Sequence, residues 1–93
     1  MREKEIESAL VKRVKENKGL CLKFTSPSMT GIPDRIILLP KSRMGFVETK
    51  RPGGEPRPIQ KKRIKQFKDL GFKVYVLDNK EAINKILDGI GGE

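Results

Sequence analysis

Gly31-Ile32-Pro33-Asp34-Arg35-Ile36-Ile37-Leu38-Leu39-Pro40-Lys41-Ser42-Arg43-Met44-Gly45-Phe46-Val47-Glu48-Thr49-Lys50 is the stretch whose reading decides the fold. Residues 35–39 are continuously apolar after Arg35, the pattern of a central strand buried on both faces. Pro40 to Met44 predicts a turn, and Gly45 to Lys50 a further strand. A hairpin turning near Ser42 brings Asp34 within a residue or two of register with Glu48 and Lys50. Alternate residues of a strand share a face, so Glu48 and Lys50 project together while Val47 and Thr49 point the other way into packing. Pro33 removes a backbone donor and biases Ile32 toward an extended shape, which suits a strand entrance.

Two carboxylates and one amine on one side of a sheet are the minimum for holding a hard divalent cation and activating a water beside it. Magnesium takes oxygen ligands, and usually only one or two carboxylates from the protein. The peptide oxygen of Thr49 is a natural further donor. The chain has no histidine, which excludes imidazole-based zinc, haem or acid–base chemistry. An acid two residues before a lysine is commonplace in a chain that is 35% charged, and so is an Asp after Pro. Their combination on a partly buried face is less ordinary, because buried charges need partners or a metal.

Working outward, residues 3–17 read as a helix with Ile6, Leu10, Val11 and Val14 on one side and Gly19 just beyond its end. Leu20, Leu22 and Phe24 then alternate with Cys21 and Lys23 as a strand covered on one face. Residues 25–33 form a loop. After a connector rich in proline and glycine at 51–58, a second helix runs from Pro58 to Leu70, with Gly71 as its stop. A short strand covers 74–77 and a last helix 80–87, followed by a loose tail at 89–93. The order is αβββαβα.

Helical wheels add two candidates. Glu7 falls inside the apolar arc of the first helix, as does Glu3 one turn earlier. An acid there either serves a metal site or simply favours the helix dipole near a frayed end. In the second helix Ile59, Phe67 and Leu70 set the inward arc, and Gln60 lies within it. Gln60 could contact a phosphate or water, or satisfy backbone groups at the helix start. Lys61, Lys65 and Lys68 form a stripe on the opposite side, either along a phosphate backbone or merely solvated.

The 93 residues make a single domain, 1–93, with a limited core, so oligomerisation is a reasonable expectation. The lone Cys21 forms no internal disulfide and suggests a reducing, intracellular setting. The charged start does not resemble a signal peptide, and no apolar run approaches a membrane span. Lys plus Arg number 21 against 12 acids, a net charge of +9, which favours a polyanionic partner, most commonly nucleic acid. The excess gathers between Arg51 and Lys68 in Arg51, Arg57, Lys61, Lys62, Arg63, Lys65 and Lys68. Few aromatic residues argue against stacking on single strands.

Gly31-Ile-Pro-Asp34-Arg35, Phe46-Val47-Glu48-Thr49-Lys50, Gln60 and Gly71-Phe-Lys-Val-Tyr-Val resemble, in this order and over nearly the whole chain, the VRR-NUC domain of the PD-(D/E)xK nuclease superfamily. The resemblance implies an α/β fold with a mixed four-stranded sheet flanked by helices. It places the motif acids on Asp34 and Glu48, the lysine on Lys50, the first-helix glutamate on Glu7 and the downstream glutamine on Gln60. Relatives often carry basic residues before the Pro-Asp pair, whereas this chain has Ser28-Met29-Thr30, which weighs against DNA contact through that loop.

What the resemblance and the residue chemistry imply together is phosphodiester hydrolysis with Mg2+, or Mn2+ in its place. Asp34, Glu48 and the Thr49 carbonyl would be the ligands, Glu7 would join the same or a second ion, and Lys50 would position water. Lys41, Arg43, Arg51, Arg57, Lys61, Lys65 and Lys68 are the candidate DNA contacts. Small stand-alone members are typical of phages and bacteria, implying action in the host cytoplasm. They also resemble homodimeric resolvases of four-way (Holliday) junctions in DNA repair, acting on branched DNA. Alternatives are a flap- or restriction-type nuclease of the same chemistry and a non-catalytic basic binding module.

Overall fold

A computed structural model describes residues 1–91. Its elements are α1 (Glu3–Glu16), β1 (Leu20–Lys23), β2 (Arg35–Leu39), β3 (Arg43–Thr49), α2 (Pro58–Asp69), β4 (Val74–Leu77), a 3-10 turn (Lys80–Ala82) and α3 (Ile83–Gly91). The expected order αβββαβα is present. The sheet runs β1-β2-β3-β4. Its first three strands form an antiparallel meander, and β4 lies parallel to β3. Parallel neighbours cannot be joined by a tight turn, so α2 serves as the crossover.

The β2–β3 hairpin closes at Leu39↔Arg43 and extends to Arg35↔Val47. One step further along this ladder, Asp34 stands opposite Glu48. The turn sits at Lys41 and Ser42, both left-handed with φ of 68° and 62°. Glycine or asparagine would adopt this conformation more cheaply.

Strand parity divides the molecule into two layers. On one face, Ile37, Val47 and Leu77 meet Ile6, Leu10 and Val14 of α1 and Ile83, Ile86, Leu87 and Ile90 of α3 in a continuous buried core. On the other, Phe46 of β3 packs edge-on against Phe67 of α2, their centroids 4.9 Å apart, with Phe24 and Phe72 beside them. The chain leaves α1 through Lys18, at φ 63°, and the next residue must be small. A Cβ on Gly19 would lie 2.3 Å from the Leu38 carbonyl oxygen.

Several expectations about faces are corrected here. Leu20 and Leu22 are 58% and 43% exposed, while Cys21 packs on the core. The covered face of β1 is therefore the opposite one, because α2 sits over β3 and β4 and leaves β1 open. For the same reason β2 buries only Ile37 fully, and the strand buried on both faces is β3, from Gly45 to Thr49. Leu70 is 75% exposed. It caps the end of α2 rather than facing inward, and after the chain reverses at Gly71 the ring of Phe72, itself 44% exposed, lies edge-on to Phe46. Val11 is only half-buried. The last helix extends past 87, and Gly89 to Gly91, expected as loose tail, are helical, with Ile90 buried. The remainder of that tail, residues 92–93, lies outside the described residues.

Candidate active site

The Gly31-Ile-Pro-Asp34 loop is docked on α2. Gly31 has φ 81°, and a Cβ there would lie 2.9 Å from both the Ile59 carbonyl oxygen and its side chain. Only glycine permits that close approach without strain. Arg63 Nε donates to the Thr30 carbonyl oxygen at 2.8 Å, a second tie between loop and helix. The helix turn carrying Gln60 is thus held against the loop carrying Asp34.

Glu48 is buried. Gln60 Nε2 donates to its Oε2 at 2.9 Å, and Lys50 Nζ stands 3.4 Å from the same oxygen. Gln60 in turn accepts the Arg57 backbone N–H on Oε1 at 2.8 Å, so its amide has a defined orientation. Asp34 accepts the Thr49 N–H on Oδ1 at 3.1 Å and the Thr49 hydroxyl on Oδ2 at 2.6 Å. Thr49 is fully buried, as expected of a residue turned into packing, and its hydroxyl finds its partner there in Asp34.

Both carboxyls titrate above their ordinary values. Burial is the main cause for Asp34, with the Glu7 charge adding and the two Thr49 bonds opposing. Burial also leads for Glu48, followed by repulsion from Asp34, with Lys50 opposing and Glu3 adding a small push. Like charges crowded in a partly dry site favour a bound cation. Among the described residues no group of three acidic or cysteine side chains forms a ready-made metal cage. Two oxygen-donor acids fit Mg2+, which keeps several waters and accepts few carboxylates.

Glu7 reaches the edge of this site from the other layer. Its Oε2 accepts from Arg35 Nε at 2.9 Å, and Arg35 Nη1 lies 3.4 Å from the Cys21 carbonyl oxygen. Glu7 and Gln60, each on the apolar arc of its own helix, therefore approach the strand ends from opposite faces of the sheet. Arg35 was missed as a partner although a signal existed. Strand parity puts Arg35 on the face of Ile37, where a half-buried guanidinium needs an acid. Glu3 is exposed.

The basic residues separate into two groups. Arg51, Arg57, Lys61, Lys65 and Lys68 are exposed on the connector and α2, the two segments that follow Lys50 in the chain, with Lys65 paired to Asp69 at 2.8 Å. Lys41 and Arg43 lie at the hairpin turn, the opposite end of β2 from Asp34. Five residues at about 3.3 Å each put them about 16 Å away. The structure does not bring these two to the acids.

The sequence profile of the VRR-NUC domain matches residues 1–81. The chain is 39% identical over 90 residues to the protein named "Putative nuclease p44" of Acyrthosiphon pisum secondary endosymbiont phage 1, covering 97% of this chain and 96% of that one. A solved structure titled "VRR_NUC domain" is similar with a TM-score of 0.86 and 25% identity, over 92% of this chain and 94% of its own.

Proposed function

This chain belongs to the VRR-NUC family of nuclease domains, with nucleic acid as its substrate, and on that premise we propose that it is a divalent-cation-dependent DNA endonuclease. The observation carrying this reading is the pairing of Asp34 and Glu48 across one ladder, both with raised pKa and with Lys50 against Glu48. Asp34, Glu48 and the Thr49 carbonyl oxygen would hold one Mg2+ or Mn2+, with Glu7 at the margin serving that ion or a second. A bound cation supplies a more acidic water and neutralises charge developing on the phosphate. Lys50 orients the attacking water and stabilises negative charge, and Gln60 holds Glu48 in place. Arg51, Arg57, Lys61, Lys65 and Lys68 receive the phosphate backbone.

At the finer level, the proposed activity is structure-selective cleavage of branched DNA by a homodimer, most specifically resolution of a Holliday junction. A two-fold dimer presents two identical sites and so supports paired symmetric cuts. The test is cleavage of a labelled four-way junction, a 5′ flap and plain duplex with Mg2+, against EDTA and Lys50→Ala controls. Paired symmetric cuts on the junction, together with a dimer mass, are the expected result. Preference for the flap, or cutting of duplex at one sequence, would replace the substrate assignment and keep the chemistry. No metal-dependent cutting of any substrate would leave a basic binding module.

A further inference from the structure

Thr49 is fully buried at the end of β3, between the acid and the lysine of its motif. Parity directs its side chain to the layer of Val47 and Leu77, where valine would fill the same space without a hydroxyl to satisfy. A buried hydroxyl is unfavourable unless it finds a partner. Here the partner is Asp34 Oδ2 at 2.6 Å, while the amide of the same residue takes Oδ1 at 3.1 Å. Thr49 is β-branched, so its χ1 choices are few and the strand backbone sets where the hydroxyl points. Two donors from one stiff residue leave the carboxylate little freedom to rotate. Each carboxylate oxygen still has a lone pair for another contact.

We propose that the Thr49 side chain is a positioning residue for cation binding. It holds the Asp34 carboxylate in the orientation in which Asp34 and Glu48 receive a divalent ion. This inference rests on reading Asp34 as a cation ligand, and it is separate from any use of the Thr49 carbonyl. Pre-orienting a ligand removes part of the ordering entropy that binding would otherwise have to overcome.

The test is calorimetric titration of Mn2+ into the full chain, without DNA, for wild type, Thr49→Val, Thr49→Ser and Asp34→Ala. The Mn2+ concentration giving half-maximal cleavage is measured alongside. Wild type binds and Asp34→Ala does not. Thr49→Val weakens binding about tenfold while Thr49→Ser stays within about twofold, the scale of one hydrogen bond to a charged group. Cleavage by Thr49→Val recovers at high Mn2+, which a merely structural lesion would not show. Wild-type Mn2+ affinity in Thr49→Val, with Asp34→Ala unable to bind, overturns the positioning role alone. Wild-type affinity in Asp34→Ala overturns the ligand assignment and the positioning role with it. If Thr49→Val does not fold by circular dichroism, Thr49→Ala against Thr49→Ser decides by the same readout.

Discussion

Gln60 hands its side-chain N–H to Glu48 at 2.9 Å while its carbonyl oxygen takes the Arg57 backbone N–H at 2.8 Å, so one amide both caps α2 and holds a motif acid. Gln60→Ala removes both contacts. Loss of the capping contact should lower stability by about 1 kcal/mol, read by urea denaturation. Cleavage should fall further than that loss explains, because Glu48 becomes free to reorient. A variant with reduced stability and unchanged kcat would leave Gln60 with a structural role only.

Asp34 and Glu48 both titrate high because burial disfavours their ionised forms. A carboxyl whose folded pKa is raised favours the fold below its unfolded value, about 3.9 for Asp, and loses that contribution as pH rises through the folded value. In EDTA, Asp34→Asn should therefore melt higher than wild type at pH 7. The gap should close as pH falls toward about 4. A gap that widens on acidification would contradict the direction of the Asp34 shift. Mn2+ affinity of wild type should weaken on acidification earlier than an ordinary exposed carboxylate would dictate, because the ligands must be deprotonated.

Arg35 and Glu7 join α1 to the sheet across a half-buried contact. Arg35→Met leaves Glu7 without its cation and should destabilise by about 2 kcal/mol, below the figure for fully buried pairs because both groups retain some solvent. Arg35→Met with Glu7→Gln should recover most of this loss. Equal destabilisation in the single and double variants, measured by denaturant midpoint, would show that packing rather than charge dominates.

Gly31→Ala forces a Cβ against Ile59 at a backbone conformation that L-residues avoid. Destabilisation of about 1–3 kcal/mol is expected, accompanied by loss of cleavage as the Asp34 loop separates from α2. Gly53, also at positive φ but with open space around it, is the control: alanine there should leave cleavage unchanged.

DNA contact should follow the division of basic residues. Lys61→Ala and Lys68→Ala should each weaken junction binding and reduce the slope of log affinity against log salt by about 1. Lys41→Ala, at the far end of the hairpin, should change the slope less. An equal or larger effect at Lys41 would mean that DNA runs along the whole strand direction.

The element order, the hairpin between Asp34 and Glu48, and the shared face of Glu48 and Lys50 were all legible from local pattern. Gly31, Pro33 and the run 35–39 are neighbours in the chain, and their preferences act over a few residues. The direction of β1 was not legible, because Leu20, Cys21 and Leu22 alternate equally well with either face inward. The reach of α2 over β3 and β4 decides that choice.

The sequence by itself determined which residues could form a two-acid, one-lysine site, since strand periodicity and register are properties of adjacent residues. Only the tertiary structure decided who holds them. Asp34 is gripped by Thr49, 15 positions away, and Glu7 by Arg35, 28 positions away. Such pairings depend on where helix and strand ends meet in space: parity marks Arg35 as a half-buried cation in need of an acid, but not which acid meets it.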